Sequence, residues 1–177
     1  MIRFFDFFLS ILFLIFFTPL FIFIVILNFF LNKKVFFYSQ RIGFNGKKFK
    51  LIKFATISND EFLKLGKFLR RTSLDELPQF INIIKGEMSL VGPRPYPIEN
   101  FKKVENDIYN LRHSIKPGLT GLAQIQFKGS KRSIEEKISL DLKMVKGFNI
   151  FLYFKIIILT PSVLIKRYFY NKSGKTL

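Results

Sequence analysis

The chain has 177 residues, enough for one domain with a real core plus attached segments. Hydrophobic residues make up 49% of it while the formal net charge is +17, a combination that soluble globular proteins rarely carry and that an anionic membrane surface satisfies on both counts. Nucleic acid would meet only the charge, and the basic residues are spread along the chain instead of gathered on a nucleic-acid motif. With no cysteine, disulfide frameworks, thiolate metal sites and cysteine nucleophiles are excluded, and the single histidine, His113, cannot build a zinc site alone and reads as a packing or helix-surface residue.

From Phe4 to Leu31 the chain is almost wholly apolar, interrupted by Asp6, Ser10, Thr18, Pro19 and Asn28, and exceeds the roughly 20 residues that a spanning helix needs. A cleaved signal peptide is disfavoured, because the stretch is too long and no small-residue cleavage site comes before Asn32-Lys33-Lys34. Thr18-Pro19 near the centre predicts a membrane break, each half of about a dozen residues being too short to cross alone. Arg3 stands at one end and Lys33-Lys34 at the other, so charge gives no inside-outside asymmetry. A re-entrant helix-break-helix with both ends cytoplasmic fits these features, and an ordinary kinked transmembrane helix is the alternative.

Residues 35–54 form two apolar-basic runs around Gly43-Phe44-Asn45-Gly46, which predicts a hairpin with an Asn-Gly turn. Apolar residues at Phe62, Leu63, Leu65, Phe68 and Leu69 predict an amphipathic helix over Glu61 to Arg71, lying either on core or on anionic lipid. A further helix opens at Ser73-Leu74-Asp75-Glu76, presents Leu77, Phe80, Ile81 and Ile84 on one face, and stops at Lys85-Gly86. Loop chemistry follows through Val91-Gly92-Pro93-Arg94-Pro95-Tyr96-Pro97, then a polar helix around Ile98 to His113, then Lys116-Pro117-Gly118-Leu119-Thr120-Gly121. A second apolar stretch, Phe148 to Tyr170, is broken by Lys155 and Thr160-Pro161 and reads as interfacial helices, with a second span as the alternative.

Chemistry concentrates at Asp75-Glu76, an adjacent acidic pair in a basic neighbourhood that includes Arg70, Arg71 and, downstream, Arg94. Ser73-x-x-Glu76 matches a helix capping box, with Asp75 favouring the positive helix end. The same placement suits a nucleophile, because a carboxylate at a helix N-terminus is held ionised; attack on phosphorus would give an acyl phosphate and divide one transfer into two steps. Phosphoryl chemistry also asks for a divalent cation and for arginines on phosphate oxygens. Arg94, stiffened between Pro93 and Pro95, is suited to a bidentate phosphate contact or to a structural ion pair.

The run Arg70-Arg71-Thr72-Ser73-Leu74-Asp75-Glu76-Leu77-Pro78-Gln79, then Asn82, then Lys85-Gly86-Glu87-Met88-Ser89-Leu90-Val91-Gly92-Pro93-Arg94-Pro95, resembles the bacterial sugar transferase family of monotopic phosphoglycosyl transferases. Arg3 with Asp6, Thr18-Pro19, Gln40-Arg41 with Gly43, and Lys116-Pro117-Gly118-Leu119-Thr120-Gly121-Leu122-Ala123-Gln124 extend the likeness over nearly the whole chain. The resemblance implies a magnesium-dependent enzyme of the cytoplasmic face of the bacterial inner membrane, moving a sugar phosphate from a UDP-sugar to polyprenyl (undecaprenyl) phosphate and releasing UMP. In it Asp75 is the nucleophile, Glu76 supports the metal or activates the acceptor, and both are metal ligands. Arg71, Arg94, Arg112, Lys53, Gln124 and Asp141 are the candidates for holding substrate and phosphate. Three departures stand out: Ala55 in Lys53-Phe54-Ala55-Thr56-Ile57 replaces an arginine, the stretch from there to Leu65-Gly66 is unusually short, and Asp141-Leu142-Lys143-Met144-Val145 lacks the tyrosine of the family's pattern.

The expected fold is therefore an α-rich α+β monotopic membrane protein, with a re-entrant helix over 1–34, a cytoplasmic catalytic domain over 35–147 that contains a small β-hairpin, and an interfacial segment over 148–177. The expected partners are the UDP-sugar, the polyprenyl phosphate, membrane lipid and a second copy of the chain, with no nucleic acid. A non-catalytic, membrane-anchored partner of a glycan assembly pathway is the alternative to the enzyme.

Overall fold

The computed structural model describes residues 1–58, 61–97, 106–126 and 133–172, and they form a helix-rich α+β arrangement with one long apolar helix and small sheets. They divide into two compact units, one of residues 1–39 with 50–86 and one of residues 40–49 with 87–177. In the first of them the N-terminal helix packs with residues 50–86.

In the first unit, α1 (Ile2–Asn32) is a continuous helix of 31 residues. The expected break at Thr18-Pro19 into two half-helices is absent. Pro19 removes one backbone donor, and the Thr18 hydroxyl donates to the Leu14 carbonyl at 2.6 Å, a bond four residues back of the kind that bends a helix without ending it. The helix stops at Lys33, whose left-handed backbone (φ 50°) lets its N–H reach the Phe29 carbonyl.

The two faces of α1 differ in chemistry. Asp6, Ser10, Ile24 and Asn28 are buried in a stripe, while Phe4, Phe8, Phe16, Phe23, Phe29 and Phe30 are exposed. On the inner side Phe13 stacks on Phe80 with ring centroids 4.1 Å apart, Phe21 meets Phe54 at 5.0 Å, and the Asn28 amide donates to the Ala55 carbonyl at 3.5 Å. Arg3 donates to the carbonyls of Ile83 and Ile84, the latter at 2.6 Å. The helix is thus lined by the same body of protein from Arg3 to Asn28.

The expected hairpin is present as β1 (Phe36–Ile42) and β2 (Lys48–Phe54), and its turn places Asn45 (φ 50°) and Gly46 (φ 74°) in the left-handed region that these residue types tolerate best. Two short strands follow, β3 (Ile57–Ser58) and β4 (Glu61–Phe62), antiparallel with Ile57 opposite Phe62. They correct the helix expected over Glu61 to Arg71, of which only α2 (Gly66–Thr72) forms. Leu63 N–H bonds the Thr56 carbonyl, and a Cβ on Gly66 would lie 2.0 Å from the same oxygen, so this close return of the chain sets the start of the helix. A single 3₁₀ turn (Leu74–Glu76) leads into α3 (Gln79–Lys85), which ends as expected at Gly86, left-handed at φ 82°.

The second unit holds β5 (Ser89–Val91), α4 (Asn106–Arg112), β6 (Gly118–Thr120), α5 (Leu122–Ile125), α6 (Ile134–Lys146) and α7 (Ile150–Lys172). The polar helix expected around Ile98 to His113 is described from Asn106 onward; residues 98–105 lie outside the described residues. Both Pro-Gly segments, expected as loops, contribute to a parallel pair, β5 with β6, in which Ser89 faces Gly118 and Val91 faces Thr120. The interfacial segment, expected as broken helices, is one helix: α7 continues through Pro161, and Thr160 donates its hydroxyl to the Ile156 carbonyl at 2.7 Å while lying 2.8 Å from the Thr120 hydroxyl. Among the described residues α1 is the helix long and apolar enough to cross a membrane; α7 is not, although it exposes Phe151, Ile158, Ile165 and Phe169.

Gly92 and Gly118 let β5 and β6 approach, since a Cβ on Gly92 would stand 2.2 Å from the Lys116 carbonyl and one on Gly118 would stand 2.0 Å from the Gly92 nitrogen. Gly92→Ala should therefore force backbone apart at the base of the Pro93-Arg94-Pro95 segment and cost roughly 1–3 kcal/mol, the scale of overpacking. The circular-dichroism melting midpoint in detergent checks this, and an unshifted midpoint would mean the strands do not approach this closely.

Candidate active site

In the first unit Asp75 and Glu76 sit side by side in the 3₁₀ turn ahead of α3. The capping box expected from Ser73 and Glu76 is not formed. Ser73 ends α2 in the left-handed region (φ 58°), its N–H bonding the Arg70 carbonyl, and an N-cap needs an extended residue there instead. Glu76 turns toward Lys53 of β2, whose ammonium lies 2.8 Å from Glu76 Oε1 and 3.6 Å from Asp75 Oδ2. Asp75 is 7% exposed, so the carboxylates and their lysine form a recessed triad. A capping box does occur in the chain, at Ser133 and Glu136 of α6.

Asn82 fixes the register of this cluster. Its side chain is fully buried, its Nδ2 donates to the Lys50 carbonyl at 2.8 Å and its Oδ1 accepts from the Ile52 N–H at 3.1 Å. One amide thus ties α3, which follows the acidic pair, to the strand that delivers Lys53. Arg70 Nε donates to Thr56 Oγ1 at 2.9 Å, and Arg71 Nε is buried with no hydrogen-bond partner among the described residues. Ala55 is completely buried, so the position of the missing arginine points into packed protein.

In the second unit Arg112 and Asp141 are 1% and 0% exposed and engage each other: Nε and Nη2 of Arg112 donate to Asp141 Oδ2 at 3.0 and 2.7 Å. The same Nη2 also donates to the Arg94 carbonyl at 2.5 Å, and the Tyr96 ring lies 5.2 Å from the guanidinium carbon. Arg112 therefore holds the Pro93-Arg94-Pro95 backbone, and its donors are already committed within the protein. Burial pushes the Asp141 carboxyl up to about 6, outweighing the lowering effect of Arg112 and Arg94. Burial likewise raises the Tyr96 phenol, with the Asp141 charge adding to it. His113 is a packed residue, as its isolation in the sequence suggested: its Nδ1 is 2.7 Å from the Tyr109 carbonyl, and burial lowers its pKa.

Of the other residues singled out from sequence, Arg94 is half-buried in its loop, and Gln124 on α5 has both amide atoms buried with no partner among the described residues. Two contributors escaped sequence reasoning in their roles. Asn82 was visible only as part of a motif, and Tyr96 carried no signal beyond its place after Pro95. No group of three or more acidic or histidine side chains suited to a metal occurs among the described residues.

A model of the family described as bacterial sugar transferase matches residues 1–167. The chain is 41% identical over 160 residues to a UDP-glucose:undecaprenyl-phosphate glucose-1-phosphate transferase of Klebsiella pneumoniae, covering 79% of this chain and 34% of that protein. It is 39% identical over 146 residues to the protein of the same name from Escherichia coli K12, covering 71% and 32% respectively. Against the exopolysaccharide production protein ExoY of Rhizobium meliloti it is 34% identical over 186 residues, with 87% of this chain and 81% of that one covered. The chain thus spans about a third of the length of the first two relatives and most of the third.

Because Arg112 balances a buried carboxylate, Arg112→Met alone should cost roughly 3–5 kcal/mol, while Arg112→Met with Asp141→Leu should recover most of that loss. The sign with pH follows from the raised Asp141 pKa: its contribution to stability is full below the unfolded value near 4 and is lost as pH rises through about 6. Melting midpoints in detergent from pH 4 to 7 should fall across that window in the wild type and lie flatter in the double variant. Equal melting of the single and double variants would show that the two groups are not coupled.

Proposed function

This chain belongs to the bacterial sugar transferase family, and from that membership we propose that it is a phosphoglycosyl transferase moving a sugar 1-phosphate from a UDP-sugar to undecaprenyl phosphate, an early step in surface glycan assembly. The observation that carries the reading is the recessed turn in which two adjacent carboxylates converge on one cation, Lys53. The names of the relatives support the donor and acceptor classes.

Asp75 is the nucleophile. A carboxylate oxygen attacks the sugar-bearing phosphorus of the diphosphate, a carboxylate O–P bond forms, the bridging P–O bond breaks, and UMP departs with the electron pair. A phosphate oxygen of the polyprenyl acceptor then attacks the same phosphorus, the acyl O–P bond breaks, and the Asp75 carboxylate is regenerated. Glu76 supports the metal or activates the acceptor. Arg94 is held at its carbonyl by Arg112 and is suited to phosphate oxygens, while Arg71 Nε and the Gln124 amide are buried with no partner among the described residues. Arg112 and Asp141 contribute as supports of the Arg94 segment.

Magnesium fits the acidic pair, since this cation is commonly bound by one or two carboxylates and completed by substrate phosphates and water. Asp75 and Glu76 would hold it, and bound there it would neutralise charge developing on the diphosphate.

The membrane seat is part of the proposal. At about 1.5 Å per residue α1 is ~46 Å long, yet residues of its own unit line it from Arg3 to Asn28. A helix standing across the bilayer would draw those polar strands and turns into the hydrocarbon with it. We therefore place α1 in the cytoplasmic leaflet with both ends on the cytoplasmic side, its exposed phenylalanine face toward lipid and the basic residues toward anionic headgroups.

The purified chain in detergent, with magnesium, undecaprenyl phosphate and a panel that includes UDP-glucose and UDP-galactose, should release UMP. Asp75→Asn should reduce release by at least a thousandfold while its circular-dichroism spectrum stays unchanged. UMP release at the wild-type rate in that variant would eliminate Asp75 as the nucleophile, and silence of the wild type across the panel would favour a non-catalytic role.

A further inference from the structure

The Lys53 ammonium occupies the same carboxylate oxygens that a divalent cation on the acidic pair would need. Its Nζ is 2.8 Å from Glu76 Oε1 and 3.6 Å from Asp75 Oδ2, and all three side chains are mostly shielded from solvent. A magnesium ion bonds oxygen at about 2.0–2.1 Å. An ammonium left in place would then face a doubly charged ion at close range in a recessed site, where screening is weak. The two cations compete for these oxygens.

Resting on the proposed transferase reading, we propose that Lys53 is an exchangeable counter-cation of the acidic pair, displaced from Asp75 and Glu76 when a divalent cation binds and free then to meet the donor's phosphate oxygens. The side chain is suited to the exchange. Lysine is a point charge on a four-carbon stem with rotatable bonds, unlike an arginine locked in a bidentate pair. The strand end of the stem is fixed, because Asn82 clamps the backbone on the N-terminal side of Lys53 at Lys50 and Ile52. Only the ammonium end has to move. Without metal the lysine prevents repulsion between two adjacent carboxylates; with metal and donor, the same charge serves the diphosphate. Lys53 is in this sense a positioning residue that sets when the carboxylates become available.

The test measures metal affinity with no donor or acceptor present, so it does not depend on turnover. Full-length wild type, Lys53→Met, Lys53→Gln and Lys53→Arg, each in detergent and each checked by its circular-dichroism melt, are titrated with Mn²⁺ and the free ion is followed by electron paramagnetic resonance. Removing the displaced ion pair should tighten binding on the order of tenfold in Lys53→Met and Lys53→Gln. Lys53→Arg should bind no more tightly than wild type, and Asp75→Asn with Glu76→Gln should abolish the gain. The two neutral variants guard against one of them failing to fold. Equal or weaker Mn²⁺ binding in both neutral variants, or no binding in any variant, overturns the exchange. UMP release by the wild type, measured in parallel, separates that outcome from failure of the transferase reading itself.

Discussion

Asn82 is sealed from solvent, and a buried amide left without partners would cost roughly 1–3 kcal/mol. It finds its partners on the backbone of β2, donating to the Lys50 carbonyl and accepting from the Ile52 N–H, as an adjoining strand would. Because α3 follows the turn that carries Asp75 and Glu76, this amide fixes the distance between the acidic pair and the strand that bears Lys53. Phe80, on the same helix, stacks on Phe13, and the last turn of α3 receives the Arg3 guanidinium. The carboxylates, the lysine and the apolar helix are therefore positioned through one seven-residue helix. A change at Asn82 would act on all three.

The polar residues of α1 follow from the same arrangement. Arg3, Asp6, Ser10 and Asn28 would be costly in a helix surrounded by lipid, and here they form the side turned toward protein. The phenylalanines on the opposite face have no such partner in the unit and supply the surface that lipid can cover. The helix thus reads as transmembrane by composition and as a packed element by its stripe. The stripe determines its orientation, because Arg3, Phe13, Phe21 and Asn28 all meet residues of 50–86.

Much of this was legible in the chain. Asn45-Gly46 demanded a left-handed turn, Gly86 demanded a stop, and the apolar spacing around Phe80 required a helix between them. The acidic pair and the Pro93-Arg94-Pro95 segment were visible as residue types in a restricted backbone. Failures arose where one local signal served two competing geometries. Ser73-x-x-Glu76 is a valid capping pattern, but Ser73 was needed to terminate α2, and Glu76 gained a charged partner from a strand over twenty residues away. Phe62 and Leu63 fit a helical stripe, yet the return of the chain onto Thr56 set the helix start at Gly66. Thr18-Pro19 is a breaking signal, but one missing donor does not outweigh the packing on either side of it. The Arg112–Asp141 pair joins helices far apart in sequence, and no local pattern announces such a contact.

The two charge clusters use different cations for physically different work. In the second unit a carboxylate with no solvent exposure is matched by an arginine, whose planar fork keeps several fixed bonds at once, to Asp141 and to the Arg94 carbonyl. Such a pair is poorly suited to opening, since either partner alone would be a buried unbalanced charge. In the first unit the carboxylates meet a lysine that touches one closely and the other at 3.6 Å, with part of each side chain still reaching solvent. That arrangement neutralises without locking, because a point charge on a flexible stem keeps no fixed fork of bonds. The arginine in one place makes a fixed pair and the lysine in the other a looser one, although both clusters are a basic side chain facing a carboxylate.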